Sequence, residues 1–526
     1  MSDAAILIGA PVYTGMRPTP AAAVRIEAGR IAKLYATTAQ ARADRRGAML
    51  WELAGGAVLP GLVDAHFHLH YLGTVASELD LTATRSRAEV LDALAAAVAE
   101  RPPGSWIKGR GWDETRWPDG QPELAALDAV APEHPVWIER VDGHAGWTNS
   151  QGLRAAGVDA SSQSPAGGEI KRDAAGRLTG VLVDRAMELL RSRLPQPSAA
   201  QIRAQLRAGM QRCARAGLTT VHDMGIEPHV LPVLSEMAAA GELDTRVVGY
   251  VYGTPGGPLP DVGPGPGGTG LLRVVGVKLF VDGALGSRGA ALFSPYHDQQ
   301  DSRGLVMTDP EALAATARAA HRAGHQIAIH AIGDRGNSIA LDAIGAAQQQ
   351  QRPRFWRHRI EHAQVVTPAD LARFRALGCI ASIQPVHLRS DMHWLQARLG
   401  PARGARAFAW RDFLEAGVPL ALGSDAPVES ENPWHGIHVA VTRQTPSGEP
   451  AGGWARHHAL GLGEALAGFG RWAHAAVGMH GGRIAPGLPA DLTVVDRDPW
   501  QQPPEALHSV QTLATFVAGR AVYAAG

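Results

Sequence analysis

From about residue 201 onward the chain repeats one pattern: a short apolar run, an amphipathic stretch of helical period, then another apolar run. The apolar runs are Leu218–Asp223, Thr245–Tyr252, Val274–Val281, Gln326–His330, His358–His362, Cys379–Gln384 and Pro419–Asp425. Runs of this kind, with little alternation, are what strands covered on both faces look like, and a helix between each pair gives the chain the crossover that parallel strands need. With Leu59–His68 upstream the count reaches eight, which predicts an α/β fold, a (β/α)8 TIM-like barrel. In such a barrel the side chains at the C-terminal ends of the strands share one mouth.

The polar residues at those ends are therefore the ones to weigh. His66 and His68 end the first strand, one residue apart, and strand alternation points both the same way. Alone they would read as a hydrogen-bonded pair of core histidines. The later strands add Lys278 in the fourth, His330 at the end of the fifth, His362 at the end of the sixth and Asp425 at the end of the eighth. Several imidazoles and a carboxylate at one mouth suit a divalent ion, and zinc is the usual occupant of nitrogen and oxygen sites. Lys278 sits in an apolar strand, where burial lowers the pKa of an ammonium. The neutral amine can take up carbon dioxide to give a carbamate, an anionic group able to bridge two metals.

Five segments, Val-Asp-Ala-His-Phe-His68, Val-Lys-Leu-Phe-Val-Asp-Gly-Ala-Leu-Gly-Ser-Arg288, Ile-His-Ala-Ile-Gly-Asp334, Arg-Ile-Glu-His-Ala-Gln364 and Leu-Gly-Ser-Asp-Ala-Pro427, resemble the amidohydrolase superfamily. The branch they resemble is the amidohydrolase-3 or YtcJ-like one, which includes N-substituted formamide deformylases. The resemblance extends to Gly482-Arg-Ile-Ala-Pro-Gly-Leu-Pro-Ala-Asp-Leu492 near the C-terminus, and so covers nearly the whole chain. It implies that His66, His68 and Asp425 hold a more buried metal, that His330 and His362 hold a more exposed one, and that carboxylated Lys278 bridges the two. It implies a metal-activated hydroxide as the nucleophile, with Asp425 as catalytic proton shuttle. The activity implied is hydrolysis of a non-peptide C–N bond: an amide, an N-formyl or N-acyl compound, or a cyclic amide. An ester, lactone or carbamate hydrolase on the same site is the alternative, and a non-catalytic scaffold is the reading from a different class. A base deaminase is disfavoured because His330-Ala-Ile-Gly-Asp334 lacks a glutamate beside the histidine.

Substrate contacts are sought in Arg288, in His144 of the Asp142-Gly-His-Ala-Gly-Trp147 segment, and in Trp112 as part of an aromatic wall. After Ser287-Arg288 the family pattern continues Thr-Ala, whereas this chain has Gly289-Ala290. Glu361 neighbours His362 and, by alternation, is expected to face the outer helices. His222 and Asp223, at the end of the second strand, are expected to support the ligands from behind.

Residues 1–58 and 482–526 alternate as short strands do and are expected to form a small β-sandwich domain built from both chain ends. The barrel is assigned 59–80 and 201–481. Residues 81–200 are too long for one connection and form an inserted lobe after strand 1. The Gly- and Pro-rich stretch 253–270 is expected as a flap at the mouth. Lys+Arg and Asp+Glu total 50 each, so the zero formal charge offers no footprint for nucleic acid or an anionic membrane. No apolar run reaches bilayer length, the start lacks a secretory pattern, and Cys213 and Cys379 show no metal or redox spacing. A cytoplasmic enzyme acting on a small molecule is expected, with a homodimer as a plausible assembly.

Overall fold

Eight parallel strands organise the larger part of the molecule in a computed structural model, which describes residues 4–15, 20–114, 117–118, 120–140, 145–165, 168–260, 270–349 and 357–525. They are β1 (Leu62–Phe67), β2 (Leu218–Ile226), β3 (Arg246–Tyr252), β4 (Leu272–Phe280), β5 (Gln326–Ala331), β6 (Arg359–His362), β7 (Ile380–Ile383) and β8 (Leu420–Leu422). Each pairs with its neighbour in sequence, from β1 to β8. The seam between β8 and β1 closes just beyond the strands: the Asp425 N–H donates to the His66 carbonyl at 2.7 Å and the His68 N–H to that of Ala426 at 3.0 Å. The buried Asp64 carboxylate fastens the same seam, accepting from the N–H of His66 at 3.0 Å and from that of Ser424 at 3.0 Å.

The helices between the strands start and stop where their local chemistry says they should. Asp309 caps Pro310–Arg322 by accepting from the N–H groups of Glu311 and Ala312, with proline at the first turn where no N–H is needed. Thr367 caps Pro368–Leu377, which ends at Gly378 with φ 65°, a left-handed residue that suits glycine.

The stretch Leu59–His68, read from sequence as one strand, is two. Ala57–Pro60 belongs to a different sheet and β1 to the barrel, with the break at Gly61. A Cβ on Gly61 would lie 2.3 Å from Thr219 Oγ1, so the backbone passes too close to β2 for any side chain.

Both chain ends contribute to that other sheet. Ala57–Pro60 pairs with Leu492–Val495 on one side and with Ala4–Tyr13 on the other, within one hydrogen-bonded network of eight strands. Alternation gives the sheet an apolar cluster on each face, Leu7, Val24, Leu492 and Phe516 on one and Ile6, Ile8, Ala23 and Tyr35 on the other. The final stretch, Leu513–Tyr523, is a hairpin of Thr512–Val517 and Arg520–Ala524 turning at Ala518 and Gly519, both at positive φ.

The chain divides into two compact units, Met1–His70 with Met210–Gly526, and Tyr71–Gly209. The second is wider at each end than the lobe read from sequence. It has a six-stranded sheet of its own, with Leu79–Asp80, Ile107–Trp112 and Val136–Arg140 parallel and the rest antiparallel. Helix Arg87–Ala99, capped by Ser86, lays Val90 and Leu94 onto one face together with Trp112, Trp117 and Trp147. Trp112 is 1% exposed and its indole N–H donates to the Ile138 carbonyl at 2.8 Å. That corrects the expectation of a substrate-contacting wall: the ring is part of the lobe's core. Among the described residues no helix is long and apolar enough to cross a membrane.

Candidate metal centre

The mouth of the barrel gathers the residues that the sequence placed there. On β1, His66 is fully buried and its ring centroid lies 5.5 Å from that of His68 and 4.8 Å from that of His362. His330, from β5, stands 4.4 Å from His362. Asp425, in the loop after β8, has Oδ1 at 3.0 Å from His68 Nε2 and 3.4 Å from His66 Nε2. One donor atom each from His66, His362 and Asp425 lie within 4.8 Å of one another, the geometry of a metal-ligand cluster.

The hydrogen-bond inventory tests whether a cation fits. His66 Nε2, His330 Nε2 and His362 Nδ1 are buried and make no hydrogen bond. An unpaired polar atom in a protein interior costs about 1–3 kcal/mol. Three of them in touching rings beside a carboxylate are coherent if the nitrogens are lone pairs facing a divalent ion.

The electrostatics agree. Burial, helped by the Lys278 charge, lowers His66 to about 4 and His330 to about 3, so both rings are neutral and able to bind a metal. Burial alone would raise Asp425, but the surrounding imidazoles hold it well below the usual carboxylate range. Lys278 is 1% exposed on β4, and burial lowers its amine to about 8 against the pull of Glu361 and Asp425. Its Nζ lies 4.9 Å from the Phe280 ring centroid, and that ring is 5.4 Å from His330.

The backbone is strained at two of these positions. His362 has φ 75° and Asp425 φ 65°, in the left-handed region that costs a residue with a Cβ about 1–2 kcal/mol. Strain of this kind persists where the surroundings impose it, commonly at functional sites.

Across the chain, the amidohydrolase family model matches residues 51–523. The chain belongs to the amidohydrolase family. This amidohydrolase is 33% identical to the Arabidopsis thaliana protein LONG AFTER FAR-RED 3, over 97% of this chain and 90% of that one. It is 31% identical to the Bacillus subtilis (strain 168) protein YtcJ, over 90% of each chain, and 29% identical to the N-substituted formamide deformylase of Arthrobacter pascens, over 98% and 97%. A crystal structure of an uncharacterized metal-dependent hydrolase from Pyrococcus horikoshii OT3 superposes with a TM-score of 0.80 at 26% identity, covering 95% of this chain and 99% of that one. The fold is therefore the TIM-like barrel of a hydrolase family, shared with the metal-dependent hydrolase from Pyrococcus horikoshii OT3.

Of the expected substrate contacts in this amidohydrolase, Arg288 is paired within its own loop and His144 is not described. Arg288 donates from Nε and Nη2 to Asp298 at 3.1 and 2.9 Å, a two-pronged ion pair within the loop after β4 that gives the guanidinium a structural partner. His144 lies outside the described residues, as do 261–269 of the expected flap.

Sequence reasoning also misplaced or missed four residues of the amidohydrolase. Glu361 does not face the helices; it is fully buried with Oε2 at 2.7 Å from His66 Nδ1. The alternation argument failed because the left-handed backbone of His362 turns that ring inward alongside its neighbour. Arg359, two residues earlier and on the same face as Glu361, reaches across the barrel to the Ala65 carbonyl and to Ser382 Oγ, both at 2.6 Å. Asp282 accepts from the N–H groups of Ala291, Ile332 and Gly333 at 2.8–3.0 Å, pinning the loops after β4 and β5. His387, on helix Pro385–Asp391 after β7, has Nε2 at 3.5 Å from Asp425 Oδ2 and its ring stacked 5.8 Å from His362. A histidine just past the end of a barrel strand was a readable signal for the last of these.

His222, expected as a support, is buried with Nδ1 3.1 Å from Arg359 Nη1. Asp223 is buried too, and burial raises its carboxyl to about 7.

Proposed function

We propose that the chain hydrolyses a non-peptide C–N bond of a small molecule, an N-formyl or N-acyl amide or a cyclic amide, with Asp425 moving the proton. The observation that carries this reading is the convergence of unpaired imidazole nitrogens on an ionised carboxylate. His66, His68 and Asp425 would hold one divalent ion and His330 and His362 a second, zinc suiting a nitrogen- and oxygen-rich donor set. Bound there, such ions supply a water acidified toward ~7 and an electrophile for the carbonyl oxygen.

The chain's own residues do the rest. Lys278, whose buried amine is lowered to about 8 and so has an accessible neutral form, can add carbon dioxide through Nζ with release of one proton, giving a carbamate whose oxygens would complete the donor set. Asp425, its two oxygens facing His68 and His387, holds the proton that water gives up on attacking the carbonyl carbon, and delivers it to the nitrogen as the C–N bond breaks. The identity shared with an N-substituted formamide deformylase over nearly the full length favours a C–N bond over an ester or lactone.

The test is turnover of a panel of N-formyl, N-acyl, cyclic-amide, lactone and ester compounds by zinc-loaded protein. Release of an amine or opening of a cyclic amide supports the reading. Turnover confined to lactones or esters moves the assignment to C–O bonds.

A further inference from the structure

Arg359 and Glu361 form a fully buried pair on β6, although alternation led Glu361 to be expected on the outer face. Arg359 Nε donates to Glu361 Oε1 at 2.6 Å and Nη2 to Oε2 at 3.0 Å, and both side chains are fully buried. The guanidinium also holds the Ala65 carbonyl, beside His66 on β1, Ser382 Oγ on β7 and His222 Nδ1 on β2. The pair thus ties its own strand to three others, and Glu361 Oε2 is aimed at His66 Nδ1 from 2.7 Å.

An arginine is always charged, and a carboxylate gripped by it at both oxygens stays ionised and can only accept hydrogen bonds. The proton between Glu361 and His66 must therefore sit on the imidazole Nδ1. That choice of tautomer leaves His66 Nε2 as a bare lone pair, and Nε2 is the atom that is buried without a hydrogen-bond partner and faces Asp425. A free imidazole would divide between two tautomers and several ring rotations, of which one tautomer in one orientation serves as a ligand.

We infer that Arg359 and Glu361 are positioning residues that preset His66 as a metal ligand before the ion arrives. Neither touches substrate; they act through His66. The inference rests on the metal-dependent reading above, and it ties the closure of the barrel to the affinity of its mouth, because the arginine that orients Glu361 also fastens β1 to β6 and β7.

The experiment uses the full chain and reads Zn2+ affinity directly, by competition with a chromophoric chelator, alongside the melting temperature of the metal-stripped protein. Glu361→Asp keeps the charge that Arg359 needs but shortens the arm by one methylene, so the carboxylate no longer spans both partners. The double variant Arg359→Met with Glu361→Met removes the pair and leaves no buried charge behind. Both are expected to fold and to bind Zn2+ more weakly by about 10- to 100-fold, the usual cost of losing a partner that orients a ligand. Wild-type affinity in either folded variant overturns the inference, as does failure of both to fold, which would make the pair a structural clamp only. If the wild-type chain itself binds no Zn2+, it is the metal-dependent reading that fails, and the two failures are told apart by that control.

Discussion

Asp425 carries both an electrostatic and a backbone demand, and the two can be separated by the choice of replacement. At φ 65° the position tolerates asparagine about as well as aspartate, whereas alanine pays the left-handed penalty in full. Asp425→Asn is therefore expected to keep the melting temperature of the metal-free chain while losing the proton carrier, and kcat should fall by roughly 10²- to 10⁴-fold, the range that general acid–base groups contribute. A kcat within a few-fold of wild type would remove Asp425 from the proton pathway. Lys278 makes a second case at this scale. If its amine acts as a carbamate, Lys278→Ala leaves a buried void where an anion belongs, and a small carboxylate such as propionate should restore part of the lost turnover. Activity of Lys278→Ala that is normal without any added acid would rule the carbamate out.

At the scale of elements, the strand ends were legible because barrels place chemistry there: His66, His68, His330, His362 and Asp425 sit where the strand order puts them. What the pattern could not show is where a strand stops being regular. Gly61 divides one apolar run between two sheets because a contact with Thr219 forbids a side chain. The φ of His362 breaks the alternation on which the reading of Glu361 depended. Both effects come from tertiary contacts, which leave no local trace in composition or period. At the opposite end of β6, His358 accepts the Ile327 N–H on Nδ1 at 3.1 Å, so its proton lies on Nε2, 3.0 Å from His321 Nδ1. Burial and that neighbour lower His358 to about 3. The stability that this neutral ring contributes is complete above the unfolded value near 6.5 and is lost as pH falls from there toward 3, by up to about 1.4 kcal/mol per pH unit. Denaturant unfolding of wild type and His358→Gln at several pH values should give a shallower acid slope for the variant, and equal slopes would show that His358 is already protonated in the fold.

For the whole molecule, the candidate ligands come from five strands or the loops that follow them, His66 and His68 at the N-terminal seam and Asp425 across it, so an ion bound there joins segments far apart in sequence. Binding to the folded chain alone stabilises it by mass action, about 4 kcal/mol when free ion exceeds its dissociation constant a thousandfold. Stripping the ions should therefore lower the melting temperature and abolish turnover together, and returning them should restore both, because the same side chains serve fold and chemistry. The neutral imidazoles compete poorly for protons, so uptake should persist at mildly acidic pH, where a surface histidine cluster would release its metal. Elemental analysis of protein purified without chelator should find about two ions per chain for a two-metal site. One ion per chain with full activity would place it among His66, His362 and Asp425 and reduce His330 to a substrate-facing or supporting role. A folded chain that holds no ion and melts identically with and without chelator would make the barrel a scaffold, and the unpaired nitrogens at its mouth would then need a different explanation.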